Sequence, residues 1–256
     1  MKPQSQPRVV PNMNRACRLL HGQRFKYRWF DEARLIEIAT WSGDRSLPLK
    51  HHFHDEIQLT FVLSGRYGFF VGDQMVSAEA GECIIIPALR PHGPVPHEQR
   101  GTTTFNAYVP VGQFPVKVAS VVVLPMHHAW LAQGSLHLDD LASLLGQAKP
   151  MNQVSREPAD QLPLELLESG ARIHDIASAI GLSRQGFIRK FSRQIGMSPH
   201  AYRLMRNLNN ARALLRQGEA IAAVAAETGF ADQSELGRYF RRAFGTTPGL
   251  YRKQYL

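Results

Sequence analysis

The second half of this chain repeats itself, and that repeat limits the possible folds more than any other feature. Segment 187–203 (FIRKFSRQIGMSPHAYR) lies without gaps on segment 236–252 (LGRYFRRAFGTTPGLYR), at an offset of 49 residues. Phe191 falls on Phe240, Arg189 on Arg238, Gly196 on Gly245, Pro199 on Pro248, Tyr202 on Tyr251 and Arg203 on Arg252. Ahead of each copy the periodicity predicts a short Ala/Ile-rich helix, at 173–180 and at 220–228. A glycine ends each, Gly181 or Gly229, suited to the left-handed residue after a helix. Ser183 or Asp232 then supplies an N-cap for a basic amphipathic helix, 184–195 or 233–244. Helix, glycine turn, cap and second helix is the grammar of a helix-turn-helix. One such unit says little, but two matched units in tandem are hard to obtain by chance. Pro199, in the first turn after Ser198, opens a connecting helix at 199–216. At ~1.5 Å per residue it spans roughly 27 Å. That could hold two recognition helices in successive major grooves, ~34 Å apart.

Charge points the same way. The chain has 256 residues and a net charge of +9. Residues 1–154 hold 15 basic and 12 acidic side chains, whereas 155–256 hold 15 and 9. From 176 to 218 there are eight basic residues and no acid. Ordinary surfaces mix both signs, and counterion release from phosphates would reward a face that does not. For any single arginine, plain solvent exposure is an equal explanation. The length suits two compact domains. Cys17 and Cys83 cannot build a disulfide framework, which suggests a reducing compartment. No apolar run reaches the ~18 residues of a membrane helix, and the polar N-terminus lacks a signal-peptide core. The expected setting is cytoplasmic, without a membrane partner.

The first half has a different period. Apolar runs at 35–41, 57–63, 67–71, 83–87 and 103–109 are broken by turn residues such as Ser64-Gly65, Gly72-Asp73 and Ala80-Gly81. Short strands at that spacing predict a β-sandwich or barrel. Residues 1–16 are expected to be a flexible tail, 17–145 the β-domain, 146–163 a linker with three prolines, and 164–256 the helical domain. Residues 135–145 look like an amphipathic helix that packs on the β-domain or pairs with a second copy.

One constellation in the first half carries chemistry. His52 and His54, two apart on a strand, point to one face, and His92 from a later strand could complete a three-imidazole metal site. The order resembles the cupin double motif. Gly81-Glu-Cys-Ile-Ile-Ile-Pro87, followed by His92, fits its second part, with Leu89 where glycine is usual. In the first part Gln58 stands where that family places a ligand Glu, and Glu56 is too close to His54 to replace it. With the anionic ligand missing, we expect no metal or other cofactor. A metal-free effector pocket at His52, His54 and His92 is preferred, and much of that reading is a purely structural role for the three. A metal site on the same residues remains the alternative.

The stretch 229–252 (GFADQSELGRYFRRAFGTTPGLYR) closely resembles the C-terminal signature of AraC/XylS-type transcription regulators, a likeness covering about 162–253. That resemblance implies a two-headed DNA-binding domain, often preceded by a cupin-like sensor. Leu236 and Gly186 depart from the pattern. In the first recognition helix Phe187 and Phe191 should face the core, leaving Arg184, Gln185, Ile188 and Arg189 for base edges. In the second, Leu236 and Phe240 face inward, leaving Gln233, Ser234 and Arg238 outward, with Glu235 at the margin. Ser183, Arg193, Arg203, Arg241 and Arg242 are expected at phosphates. The fold expected is therefore two-domain: an all-β cupin-like barrel followed by an all-α tandem helix-turn-helix domain. The expected function is a non-enzymatic, effector-controlled regulator binding double-stranded DNA. A homodimer and contact with RNA polymerase are further candidate partnerships. The rival is a cupin metalloenzyme domain fused to a DNA-binding module.

Overall fold

The computed structural model describes strands Val9–Val10, Lys26–Trp29, Glu37–Gly43 and Leu136–His137, residue 145, and residues 51–72, 74–95, 101–114, 117–126 and 161–256. In chain order the strands are β1 (Val9–Val10), β2 (Lys26–Trp29), β3 (Glu37–Gly43), β4 (Glu56–Ser64), β5 (Arg66–Val71) and β6 (Gln74–Glu79). They continue as β7 (Glu82–Ile86), β8 (His92–Pro94), β9 (Thr102–Pro110), β10 (Val122–Pro125) and β11 (Leu136–His137). All five apolar runs read from the sequence fall on strands. β6, with sequence QMVSAE, escaped that reading because only Val76 and Ala78 on it are buried.

An antiparallel sheet of order β10-β7-β4-β9-β3-β2 faces a smaller one of order β6-β5-β8. β4 is buried on both faces, and its alternation divides two environments. Ile57, Leu59 and Phe61 pack with Cys83, Ile85, Phe105 and Ala107 in an apolar layer. On the opposite face Val62 joins Ile84, Ile86, Tyr67, Phe69 and Val71. Gln58, Thr60, Thr104 and Asn106 share that second face and are buried too. They satisfy one another through hydrogen bonds, with Thr60 Oγ1 to Asn106 Oδ1 at 2.7 Å and the Gln58 amide to Thr60 at 3.0 Å. Gly65 is one position where glycine is required. Its φ is +73°, and a Cβ there would lie 2.7 Å from Thr102 Oγ1.

The helices are α1 (Gln161–Glu168), α2 (Ile173–Ala179), α3 (Arg184–Ile195), α4 (Pro199–Arg216), α5 (Ile221–Glu227), α6 (Gln233–Phe244) and α7 (Pro248–Lys253). Both expected N-caps form: Ser183 Oγ accepts from Gly186 N at 3.1 Å, and Asp232 Oδ1 from Glu235 N at 2.7 Å. Gly196 and Gly245 take the left-handed conformation that ends α3 and α6. α4 is the connecting helix, with the bounds the sequence predicted.

Three boundaries differ from expectation. The 1–16 tail is tied down in part, since β1 pairs antiparallel with β11. In the segment 135–145, expected to be a helix, Leu136–His137 form that strand and residue 145 is helical; 135 and 138–144 lie outside the described residues. α1 starts at Gln161, inside the expected linker, because Pro163 in a first helical turn has no N–H to lose. The linker's residues 146–160 lie outside the described residues.

Candidate nucleic-acid interface and sensor mouth

The two recognition helices divide their faces as helix geometry demands. Phe187 and Phe191 on α3, and Leu236 and Phe240 on α6, are buried. Arg184, Gln185, Arg189, Gln233, Ser234 and Arg238 are exposed, and Ile188 is half-buried. Arg193, Arg241 and Arg242 are exposed as well, while Ser183 is exposed and occupied as the cap of α3.

Two other residues have jobs inside the protein. Arg203 is a correction: its Nε donates to the Leu167 carbonyl at 3.2 Å and its Nη2 to that of Ala171. It closes the C-terminal end of α1, which turns it away from a phosphate role. Glu235 accepts from Ala231 N at 2.8 Å while its own N–H bonds Asp232, so it is part of a reciprocal cap. Its carboxylate also lies 3.8 Å from Arg238. A cap carboxylate is poorly placed to search for cytosine, and this leaves Gln233, Ser234 and Arg238 as the outward trio.

The three histidines do come together. His52 and His92 form an isolated antiparallel bridge, and one ring nitrogen from each of His52, His54 and His92 lies within 4.8 Å of the others. All three are buried. Burial holds His54 and His92 well below the ordinary imidazole range, reinforced by their proximity to His52 and, for His54, to Arg212. His92 has both nitrogens engaged: Nδ1 lies 2.8 Å from the Arg90 carbonyl and Nε2 3.0 Å from the side-chain amide of Gln58. His54 Nδ1 receives Arg212 Nη1 at 3.0 Å. An arginine only donates, so Nδ1 must accept and the proton of a neutral ring sits on Nε2. Among the described residues that Nε2 is buried with no hydrogen-bond partner.

This donor set does not fit a divalent cation. A metal needs imidazole lone pairs and commonly a carboxylate. Here one lone pair faces a guanidinium, both His92 nitrogens have partners, and Gln58 supplies no charge.

The sequence reading missed how firmly the two domains are joined. Arg212 and Arg216, one helical turn apart on α4, reach the end of the β-domain beside the histidines. Arg212 Nη2 lies 2.8 Å from Glu37 Oε1 and Nη1 3.5 Å from Glu56 Oε2. Arg216 places Nη2 2.7 Å from Glu37 Oε2 and Nη1 2.7 Å from Glu56 Oε1. Burial alone would push the Glu56 carboxyl up, but Arg212 and Arg216 outweigh it and hold it down at about 2. Tyr251 donates to Glu37 Oε2 and accepts from Arg216 Nε at 2.7 Å. Arg206 pairs with Asp55, Asn209 Nδ2 donates to the Phe53 carbonyl at 3.1 Å, and Phe53 stacks on Tyr202 at 5.0 Å. Three of the eight arginines and lysines in the acid-free stretch therefore find their counter-charge in the first domain rather than at phosphates. The i,i+4 spacing of Arg212 and Arg216 was the available signal; their acidic partners are more than 150 positions away.

Comparison with known proteins matches each domain separately. Residues 165–254 match the helix-turn-helix domain family and residues 41–104 the cupin domain family. The helical part is similar to a putative AraC-like transcription regulator of Streptomyces antibioticus, 33% identical over 82 residues, covering 32% of this chain and 27% of that protein. The likeness to AraC-like regulators thus lies in the helical domain. The HTH-type transcriptional regulator MtrA of Neisseria gonorrhoeae is 32% identical over 83 residues, covering 32% of this chain and 28% of MtrA. The chain thus matches less than a third of the length of these curated relatives. Across both domains the fold is similar to that of ToxT from Vibrio cholerae in its unsaturated fatty acid-bound crystal structure. The TM-score there is 0.55 at 9% identity, over 86% of this chain and 95% of ToxT. That likeness concerns the fold alone: a β-rich domain followed by a helical domain. Among the described residues no helix is long and apolar enough to cross a membrane.

Proposed function

We propose that this chain is a sequence-specific regulator of transcription that reads double-stranded DNA with α3 and α6 and senses a small-molecule effector through its cupin domain. The observation that carries the DNA reading is the matched exposure of the two recognition helices. Each buries its aromatic or Leu pair and presents glutamine and arginine at its N-terminal end. These are the side chains that pair bidentately with adenine and guanine in the major groove. Gln185, Ile188, Arg189, Gln233, Ser234 and Arg238 are assigned to bases. Arg184, exposed beside Gln185, is assigned to bases with them, and Arg193, Arg241 and Arg242 are assigned to phosphates. The effector reading is supported by the buried polar face that runs from His92 through Gln58 and Thr60 to Asn106. A homodimer and contact with RNA polymerase belong to the same proposal, as does an intracellular setting. The metalloenzyme reading loses ground because the histidine donor set does not suit a metal.

The test is selection from a random duplex library by the full chain, followed by salt-controlled titration. A consensus with two half-sites about one helical turn apart is expected. Recovery of no motif, with equal affinity for every duplex, would remove the base-reading claim.

A further inference from the structure

The two recognition helices carry an arginine at the same register of the repeat, Arg189 on α3 and Arg238 on α6, in different surroundings. Arg238 is exposed, yet its side chain is held on two sides. Its Nη2 lies 3.8 Å from Glu235 Oε1, and its central guanidinium carbon lies 5.1 Å from the centre of the Tyr239 ring. Both neighbours are themselves fixed. The second oxygen of Glu235, Oε2, accepts from Ala231 N at 2.8 Å. Tyr239 is half-buried, packs against the helical core and stands 6.3 Å from the ring of Phe230. On α3 the offset of 49 residues puts Gly186 where α6 has Glu235, and Lys190 where it has Tyr239. That helix carries Arg184, Arg189, Lys190 and Arg193 and no carboxylate.

We propose that Glu235 and Tyr239 are positioning residues that aim Arg238 at a guanine, so that the second head discriminates its base pair more sharply than the first head does through Arg189. This rests on the DNA reading and specifies it: the half-site of α6 carries the stricter guanine. An exposed ion pair adds little stability, so the effect of Glu235 is on direction. To read guanine, an arginine must bring two N–H groups into the plane of O6 and N7. A long side chain gives up rotamer freedom to do so, and one already held between a carboxylate and a ring gives up less. The guanidinium has five N–H groups, enough to keep Glu235 and serve a base together. Glu235 also opposes the wrong contact. Its negative charge stands against nearby phosphates and weakens binding that does not use the bases. Arg189, in an all-cationic helix, has no such counterweight on α3, and phosphate attraction competes with its base contact.

The experiment titrates the full chain, at fixed salt, with the selected consensus duplex, its single-base variants and a scrambled duplex. Arg189→Ala and Arg238→Ala locate the two base pairs. Wild type should discriminate more strongly at the Arg238 pair. Glu235→Gln keeps a side-chain oxygen for Ala231 N but removes the charge. It should lower the preference for guanine at that pair by about threefold or more, a part of the roughly five- to hundredfold that loss of a bidentate arginine removes. It should also tighten binding to the scrambled duplex, because a negative charge leaves the interface. Tyr239→Leu should lower the same preference without that tightening, and neither variant should alter discrimination at the Arg189 pair. Circular dichroism checks that each variant keeps its helices, and Glu235→Gln decides the matter if Tyr239→Leu does not. Equal discrimination at the two pairs in wild type would overturn the proposal. So would parallel weakening on consensus and scrambled duplexes, which is loss of a cap, or parallel tightening on both, which is loss of a charge alone. If wild type selects no motif, the regulator reading fails and this inference with it; if it selects one that Glu235→Gln leaves unchanged, this inference alone fails.

Discussion

The two helix-turn-helix heads are near copies in sequence, yet they are attached to the cupin domain in different ways. In the first head Tyr202 stacks on Phe53, an apolar contact reinforced by the Asn209 bond to the Phe53 carbonyl. In the second, Tyr251 at the matching position hydrogen-bonds Glu37 within a buried charge cluster. Their recognition helices differ as well. α3 is capped by Ser183 alone and carries Gly186 in its first turn, whereas α6 has the reciprocal Asp232–Glu235 cap. A repeat copies secondary structure and core contacts, but it cannot copy partners outside the repeat. One tyrosine register has thus become an apolar joint in one head and a polar joint in the other.

The largest test of this contrast is at the joints. Glu37→Ala strands two arginines with Glu56 as their remaining carboxylate and should cost ~3–5 kcal/mol in urea unfolding. Phe53→Ala should cost a similar ~3–5 kcal/mol. Hydrogen exchange separates them: the first should speed exchange in α7 and the second at the start of α4. Identical exchange patterns in the two variants would break the distinction. At the DNA, Arg189→Ala and Arg238→Ala should each cost ~1–3 kcal/mol and relax preference at one base position, in different half-sites. A uniform loss on all sequences from either would move that arginine to the phosphates.

pH acts through the polar joint. His54 and His92 are held neutral, below their ordinary 6.5, so below that value the unfolded chain takes up protons that the folded one refuses. Their stabilisation is complete above 6.5 and drains as pH falls, at up to ~1.4 kcal/mol per histidine per pH unit. Glu56, held at about 2 against an ordinary 4.5, adds a loss that begins only near 4.5 and runs down toward 2. Chemical denaturation at pH 7.5 and 5.5 should show the first loss without the second; equal stability at both would contradict neutral buried histidines. The smallest effects lie within the recognition helices. Gly237→Ala meets nothing within 4 Å among the described residues and should raise stability by about 1 kcal/mol. Gly186→Ala gains the same propensity but sets its Cβ 3.1 Å from the cap Ser183 Oγ, so thermal melts should show little or no gain.

The helical domain was legible because its information is local. Period, glycine, cap and repeat all lie within about fifty residues, and Phe187, Phe191, Leu236 and Phe240 are buried as the spacing implied. The five apolar strands were legible for the same reason. β6, with its weak alternation, and the β1–β11 pair, whose partners lie far apart in the chain, were not. Arg203 illustrates the limit: its place in the repeat suggested a phosphate, but its acceptors are carbonyls more than thirty positions earlier.

By itself, then, the sequence determined an all-β half, a duplicated helical half and the outward face of each recognition helix, because helix and strand periods set those without reference to distant residues. The tertiary structure alone decided which partners His54, Arg206, Arg212 and Arg216 find. A buried charge must find its counter-charge nearby in space. Glu37 and Glu56 meet Arg212 and Arg216 only once α4 has docked on the mouth of the cupin domain.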